Sequence, residues 1–114
     1  MLASDVLKSI LEFREERDWK QFHSARNLAA ALSVEASELL EHFIWASDEQ
    51  TPQIATECRE GIKQEMADIA ILLTYLASDL GVDLDDAVRQ KLEANRAKYP
   101  VEKSKGSNKK YDKL

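Results

Sequence analysis

Apolar residues recur at steps of three and four along most of the chain, which is the spacing that places side chains on one face of an α-helix. The pattern predicts an all-α fold with four helices and short polar connections. The predicted helices run from a cap at Ser4 to about Asp18, from about Arg26 to Ala46, from a cap at Thr51 followed by Pro52 to Leu80, and from a cap at Asp83 to about Tyr99.

Two glycines affect the predicted extent of the third helix. Gly81 follows its last apolar residue and is well placed to end it, because glycine adopts the left-handed conformation of a helix C-terminus without strain. Gly61 favours an alternative in which a short helix precedes a long one. Residues 1–100 form a single predicted helical domain. Residues 101–114 are rich in Lys, Ser, Gly and Asn and are predicted to be an extended or disordered basic tail.

The apolar positions of each of the first three helices form a stripe that is predicted to be buried. In the third helix the run from Ile69 to Leu73 covers nearly the whole circumference, so we expect this helix to be covered on most sides, partly by another subunit. The three stripes are Val6, Ile10 and Phe13; Leu32, Ala36, Leu39, Phe43 and Ala46; and Ile62, Met66, Ile69, Leu73, Leu76 and Leu80.

Beside these stripes lie two pairs of carboxylates, Glu35 with Glu38 and Glu65 with Asp68. Residues three apart share a helix face, so two packed helices would gather four carboxylates. Such a group either takes up protons or binds a cation, and oxygen-only ligands suit Mg²⁺ or Mn²⁺ better than zinc. The competing interpretation is a solvated surface. No Lys or Arg stands four residues after Glu35, Glu38 or Asp68, which weakens that interpretation.

A di-iron carboxylate site is a second rival, and it would need Glu-x-x-His on two helices. The chain contains no such motif. The carboxylates therefore favour a hard divalent cation, and an all-carboxylate Mg²⁺ site with basic residues nearby indicates phosphoryl or nucleotidyl chemistry.

The connection between the first two helices mixes aromatic and basic residues, and it has two interpretations. Its aromatics either staple the first helix onto the second or form a lip that stacks a flat ligand. Lys91, Asn95 and Lys98 share one face of the fourth helix, where a solvated stripe is the simpler interpretation. The connection contains Trp19, Phe22, His23 and Arg26.

Composition and charge narrow the functional classes. The chain has 114 residues, a mass of 13.0 kDa and a formal charge of −5, and the tail carries five lysines against two acids, so residues 1–100 hold −8. This acidic body argues against binding polymeric nucleic acid. Cys58 is the only cysteine, which excludes an intramolecular disulfide and fits a cytoplasmic setting. Neither a signal peptide nor a membrane span is predicted.

An ordered set of motifs resembles the MazG-like all-α nucleoside triphosphate pyrophosphohydrolases, and especially their dCTP pyrophosphatase branch. The resemblance covers nearly the whole chain from residue 13 onward. The motifs are Glu16–His23, Arg26–Leu28, Glu35-x-x-Glu38-Leu, Trp45-x-Ser-Asp48, Glu65-x-x-Asp68, Asn95-Arg-x-x-Tyr-Pro100 and Ser104-x-Gly-Ser107 followed by Lys110-Tyr111.

The resemblance implies hydrolysis of a (deoxy)nucleoside triphosphate between its α and β phosphates. It also implies a four-helix-bundle-like protomer that forms dimers or a dimer-of-dimers tetramer. By position, Glu35, Glu38, Glu65 and Asp68 would be catalytic and hold Mg²⁺, for which Mn²⁺ can substitute. The implied substrate-binding residues are Trp19, Phe22, His23 and Trp45 for the base. Lys91, Asn95, Lys110 and Tyr111, the last two from the tail, are implied for phosphates or sugar, and Arg26 is a further substrate-binding residue.

One departure from the family pattern is Leu72, where a tyrosine is expected one turn after Asp68. This change puts the base or sugar selectivity in doubt. The alternative function is a non-catalytic acidic helical module that binds nucleotides or a protein.

Overall fold

The computed structural model describes all residues from Met1 to Leu114 and contains six α-helices and no strand, which confirms the all-α prediction. The chain divides into two compact units, one of residues 2–81 and one of residues 82–114 with Met1. No helix is both long enough and apolar enough to cross a membrane. The helices are α1 (Ser4–Glu16), α2 (Ala25–Glu41), α3 (Thr51–Glu57), α4 (Arg59–Leu80), α5 (Leu84–Lys98) and α6 (Val101–Ser104).

The first unit is built around the packing of α2 against α4, and α1 and α3 also contact α4. Leu28 in α2 is 1% exposed, and Tyr75 and Ala77 in α4 are buried as well. Each predicted carboxylate pair lies on one of these two helices. The main interface of the unit therefore carries the candidate site.

Local signals for the helix ends are partly confirmed. Gly81 has φ 67° and ends α4, and the Asp83 side chain accepts a hydrogen bond from the Asp86 N–H at the start of α5. The predicted caps Ser4 and Thr51 are wrong by one residue, because each is the first helical residue of its helix.

Two further positions in the first unit differ from the prediction: the end of the second helix and the place of the break in the third. The second helix ends at Glu41 rather than Ala46, because the next residues form tighter turns: the Phe43 N–H donates to the Leu40 carbonyl and the Ala46 N–H donates to the Phe43 carbonyl. The alternative of a short helix before a long one is confirmed. The break falls at Cys58, with φ −101° and ψ 17°, and not at Gly61, which is helical.

Several residues of the predicted buried stripes are exposed in the single chain. Phe13 is 45% exposed, Met66 58% and Leu80 59%. The predicted burial of these three side chains is therefore not found within the chain.

The second unit corrects the predicted extended tail. Residues 101–104 form α6, and residues 111–113 form a 3₁₀ turn. The rings of Tyr99 and Tyr111 meet edge to face with centroids 6.2 Å apart, and the Lys98 ammonium lies 4.9 Å from the centroid of the Tyr111 ring. These contacts order the end of the chain against α5, which composition alone could not reveal.

Candidate functional site

The two carboxylate pairs interact electrostatically across the interface of α2 and α4. The pKa of Glu35 is raised, first by partial removal from water, then by a hydrogen bond and the charge of Glu38, and then by the charges of Asp68 and Glu65. No basic side chain appears among these causes. The four residues thus form a region of concentrated negative charge.

The composition of this region suits a divalent cation. The donor set is oxygen-only and its members repel one another, and a divalent cation would relieve that repulsion. No group of three or more His, Cys, Asp or Glu side chains is already arranged to hold a metal ion. The chemistry of the donors fits a hard cation, and some of the four side chains would have to move to reach it.

A cavity of about 550 Å³ opens beside the carboxylates. Glu35 and Asp68 lie in its lining together with Trp19, His23 and Tyr75. Its volume falls in the range of small-molecule sites. Its lining is acidic in one part, and aromatic and apolar elsewhere. The other lining residues are Val6, Ser9, Ile10, Phe13, Ala31, Ile71 and Leu72.

The end of α1 positions the aromatic part of this cavity. Asp18 has φ 52°, its N–H donates to the Glu15 carbonyl, and the Trp19 N–H donates to the Arg14 carbonyl. This is the Schellman pattern of helix termination, which often brings an apolar contact between the chain after the helix and its last turns. Here the Trp19 ring meets the Phe13 ring edge to face at 5.7 Å.

Two further local structures place His23. Residues 20–22 form a 3₁₀ turn, and Ser24 then caps α2 by accepting a hydrogen bond from the Asn27 N–H at 3.1 Å. His23 lies between these structures and lines the cavity. Its Nδ1 atom is buried without a hydrogen-bond partner, which is uncommon for a polar atom inside a protein.

The aromatic connection packs onto α1 and also reaches the cavity, and stacking of a ligand on its rings stays a prediction. Trp19 staples onto α1 and also lines the cavity with His23. Phe22 is 63% exposed and does not line the cavity, and Arg26 is exposed in the first turn of α2. Leu72, the departure noted in the sequence, is a lining residue.

Sequence reasoning missed a buried ion pair behind the cavity wall. Arg14 is 4% exposed and donates two hydrogen bonds to Asp79, at 2.7 and 2.8 Å. Its guanidinium carbon lies 4.5 Å from the centroid of the Tyr75 ring, and the Tyr75 hydroxyl donates to the Ile10 carbonyl at 3.0 Å. Burial raises the pKa of Tyr75, so its hydroxyl remains a neutral donor. The pair and the hydrogen bond fix Tyr75 in the cavity wall.

A second missed contact involves Glu65 itself. The Nε2 atom of His42, just after the end of α2, lies 2.5 Å from Oε2 of Glu65. In the sequence, His42 follows Glu35 and Glu38 at helical steps of three and four, which places the three residues on one face. This spacing was the available signal that His42 lies near the carboxylates. The contact links the end of α2 to one of the four carboxylates.

Trp45 lies in a different part of the unit from Trp19. It is 93% exposed and lines a separate cavity of about 290 Å³ with His42, Gln50 and Gln53. Glu35 and Asp68 do not line that cavity. Within the single chain, the structure therefore does not bring Trp45 into the cavity that holds the carboxylates.

The remaining candidate residues belong to the second unit. Lys91 and Asn95 lie on α5, four residues apart on one face, and Lys110 and Tyr111 lie near the end of the chain. The Lys110 ammonium is 6.0 Å from the centroid of the Tyr111 ring. Within this unit, Tyr111 therefore has the ammonium groups of Lys98 and its sequence neighbour Lys110 near its ring.

Known proteins resemble this chain in sequence and in structure. The chain is 45% identical over 112 residues to dCTP pyrophosphatase 1 of Bos taurus and 41% identical over 112 residues to dCTP pyrophosphatase 1 of Homo sapiens. Each alignment covers 96% of this chain and 66% of the relative, so the chain spans slightly less than two thirds of those proteins.

A crystal structure of a pyrophosphatase from Archaeoglobus fulgidus matches the fold with a TM-score of 0.82 and 34% identity, over 84% of this chain and 90% of that one. The model of the MazG-like family matches residues 30–114. This range includes both carboxylate pairs and residues 82–114 of the second unit. The resemblance inferred from the motifs is therefore confirmed, and the chain belongs to the MazG-like family.

Proposed function

We propose that the protein is a Mg²⁺-dependent (deoxy)nucleoside triphosphate pyrophosphohydrolase that converts a dNTP and water to a dNMP and pyrophosphate. The cavity carries this proposal, because Glu35 and Asp68 share it with Trp19 and His23. A nucleotide has a flat base that stacks on aromatic rings and phosphates that associate with carboxylates through a divalent cation. The names and identities of the relatives favour dCTP or a related dNTP, and the role would be housecleaning of the nucleotide pool.

Glu35, Glu38, Glu65 and Asp68 are the proposed holders of Mg²⁺, and Mn²⁺ can substitute for it. The ion would neutralise charge on the phosphates as the bond between the α and β phosphates breaks. One of the four carboxylates orients or deprotonates the attacking water.

The proposed base site consists of the aromatic part of the cavity, where the rings of Trp19 and His23 would contact the base. Phe22, Arg26 and Trp45 remain candidates for the rim of a complete site. The proposed contacts to phosphates or sugar are Lys91, Asn95, Lys110 and Tyr111, so that the C-terminal segment would help to bind the substrate.

The decisive experiment is a panel of common and base-modified NTPs and dNTPs, assayed for pyrophosphate release with and without Mg²⁺. We expect turnover only with Mg²⁺, and the fastest turnover with dCTP or a related dNTP. Absence of turnover across the panel would leave the alternative of a non-catalytic module. A module that binds nucleotides would be stabilised by one, by about 2.7 kcal/mol at a hundredfold excess over its Kd, whereas a protein-binding module would not.

We also propose that the protein acts as a homo-oligomer of two or four copies. Leu40 is 55% exposed, Ile44 51%, Trp45 93% and Met66 58%, and all belong to the last turn of α2, the turns after it, or α4. Contact with a second copy would bury these side chains and would bring Trp45 to a site shared between subunits.

Light scattering of the purified protein should therefore give two or four times the chain mass of 13.0 kDa. Ile44→Glu should shift the mass toward one copy, because burying a carboxylate without a partner costs several kcal/mol. The exposed substitution Gln64→Ala is the control. A fully active single-copy wild type would contradict this proposal.

The setting is a further part of the proposal. A nucleotide-pool enzyme with one unpaired cysteine, Cys58, fits the reducing cytoplasm. The partners we propose are the nucleotide and other copies of the chain, without polymeric nucleic acid or membrane.

A further inference from the structure

His42 makes a close polar contact with one of the four carboxylates. Its Nε2 atom lies 2.5 Å from Oε2 of Glu65, and the two side chains are only 22% and 19% exposed. A carboxylate only accepts hydrogen bonds, so Nε2 carries the hydrogen and donates it. The contact therefore engages one Glu65 oxygen and leaves the other available.

Gly61 provides the space in which this imidazole lies. Gly61 is four residues before Glu65 in α4, and a Cβ atom built on it would lie 2.9 Å from Cε1 and 3.4 Å from Nε2 of His42. Any side chain at position 61 would force the ring to move. Glycine inside a helix is less favourable than alanine, so this position loses helix stability where the ring needs room.

The two features together suggest more than a surface ion pair. Glutamate has three rotatable side-chain bonds, and a free carboxylate near three others would turn away from them. The donated hydrogen bond opposes that tendency. The backbone at Gly61 in turn limits where the imidazole can lie, so the orientation of Glu65 depends on both residues.

We infer that His42 is a positioning residue that holds the Glu65 carboxylate oriented for a divalent cation, with Gly61 as the surface against which the imidazole rests. This inference rests on the proposed metal role of Glu65. Partners that orient metal-binding carboxylates typically contribute 10- to 100-fold to metal affinity or activity.

The test measures Mn²⁺ affinity of the full chain without nucleotide, from the electron paramagnetic resonance signal of free Mn²⁺. His42→Ala should weaken affinity at least about tenfold. His42→Gln retains an N–H donor and should recover most of the loss. Gln64→Ala, an exposed neighbour of Glu65, should bind Mn²⁺ as the wild type does.

Gly61→Ala separates positioning from stability, because it should lower the Mn²⁺ affinity without lowering Tm. The substitution should weaken Mn²⁺ binding several-fold by displacing the imidazole, while Tm stays the same or rises because alanine favours the helix. In the His42→Ala background the same change should leave Mn²⁺ affinity unaltered, since no ring remains to be displaced.

The outcomes distinguish this inference from the proposed function. If the wild type binds Mn²⁺ and His42→Ala and Gly61→Ala bind it equally well, the positioning role is wrong and the metal site stands. If His42→Ala lowers Tm but leaves the Mn²⁺ affinity unchanged, the role of His42 is structural and the positioning role is likewise wrong. If the wild type binds no Mn²⁺, both the metal site and the positioning role fall together.

Discussion

Replacing Asp68 by asparagine is expected to reduce Mg²⁺-dependent release of pyrophosphate from dCTP by at least about 100-fold while leaving the helices intact. Removal of a residue that merely orients a metal ligand already costs 10- to 100-fold, so loss of a ligand should cost at least the upper end of that range. The amide keeps the size of the carboxylate and removes its charge. Pyrophosphate release at saturating Mg²⁺ and circular dichroism are the two measurements.

The same substitution should not destabilise the protein without metal. The charge of Asp68 contributes to the raised pKa of Glu35, so removing it relieves repulsion at the interface of α2 and α4. We therefore expect an unchanged or higher Tm in the absence of Mg²⁺. Glu38→Gln should behave in the same way.

Glu60→Gln is the matched control on α4, because Glu60 is 76% exposed and only loosely paired with Lys63 at 3.9 Å. It should retain wild-type turnover. Full activity of Asp68→Asn would remove Asp68 from the proposed site, and a collapsed circular dichroism signal would show that its role is structural.

Asp79→Ala is expected to lower the free energy of unfolding by about 3 kcal/mol, because it leaves the buried Arg14 guanidinium without its carboxylate. Urea unfolding monitored by circular dichroism measures the change. The control is Glu93→Ala, which removes the partner of exposed Arg96 and should cost less than about 1 kcal/mol. The double substitution Arg14→Met with Asp79→Leu should recover most of the lost stability, since no uncompensated charge remains.

The ion pair also predicts a pH dependence of stability. The hydrogen bonds from Arg14 lower the pKa of Asp79, and the charges of Arg14, Lys20 and His23 add to this effect. The unfolded chain therefore binds the Asp79 proton more tightly than the folded chain does. The stabilisation is fully present above the ordinary pKa of about 3.9 and is lost as pH falls below it through the lowered pKa.

Wild-type protein and Asp79→Asn should accordingly converge in unfolding free energy as the pH is lowered from 5 toward 2. Urea titrations at a series of pH values provide the comparison. A difference that stays constant over this interval would show that the Asp79 carboxylate contributes through packing rather than through its charge.

Sequence periodicity predicted the helical class and most helix positions because the apolar spacing in this chain is regular. The signals with a simple physical cause, such as the left-handed Gly81 and the Asp83 cap, were also confirmed. The break at Cys58 was not predictable, because neither glycine nor proline marks it. Gly61 was a misleading signal, since its missing side chain makes room for His42 instead of ending a helix.

The candidate site was predictable in its types of residue and less so in its contacts. Spacing could place Glu35 and Glu38 on one face, but it could not reveal that Arg14 and Asp79, which are 65 positions apart, would meet behind the cavity. Likewise, the contact of His42 with Glu65 joins two helices and depends on their packing. Long-range pairs of this kind are set by tertiary structure and leave only weak local signals.

The contrasting environments of the two tryptophans give the protein separate fluorescent reporters. Trp19 and Trp45 are the only tryptophans in the chain, and they are 44% and 93% exposed. Indole emission shifts toward the blue as water is removed, so the emission spectrum of each residue reports on its own surroundings. Trp19 reports on the filling of the cavity, and Trp45 reports on the loss of water near the end of α2 when another copy of the chain covers it. With Trp45→Phe and Trp19→Phe proteins, nucleotide binding and subunit association can be followed separately without any added dye.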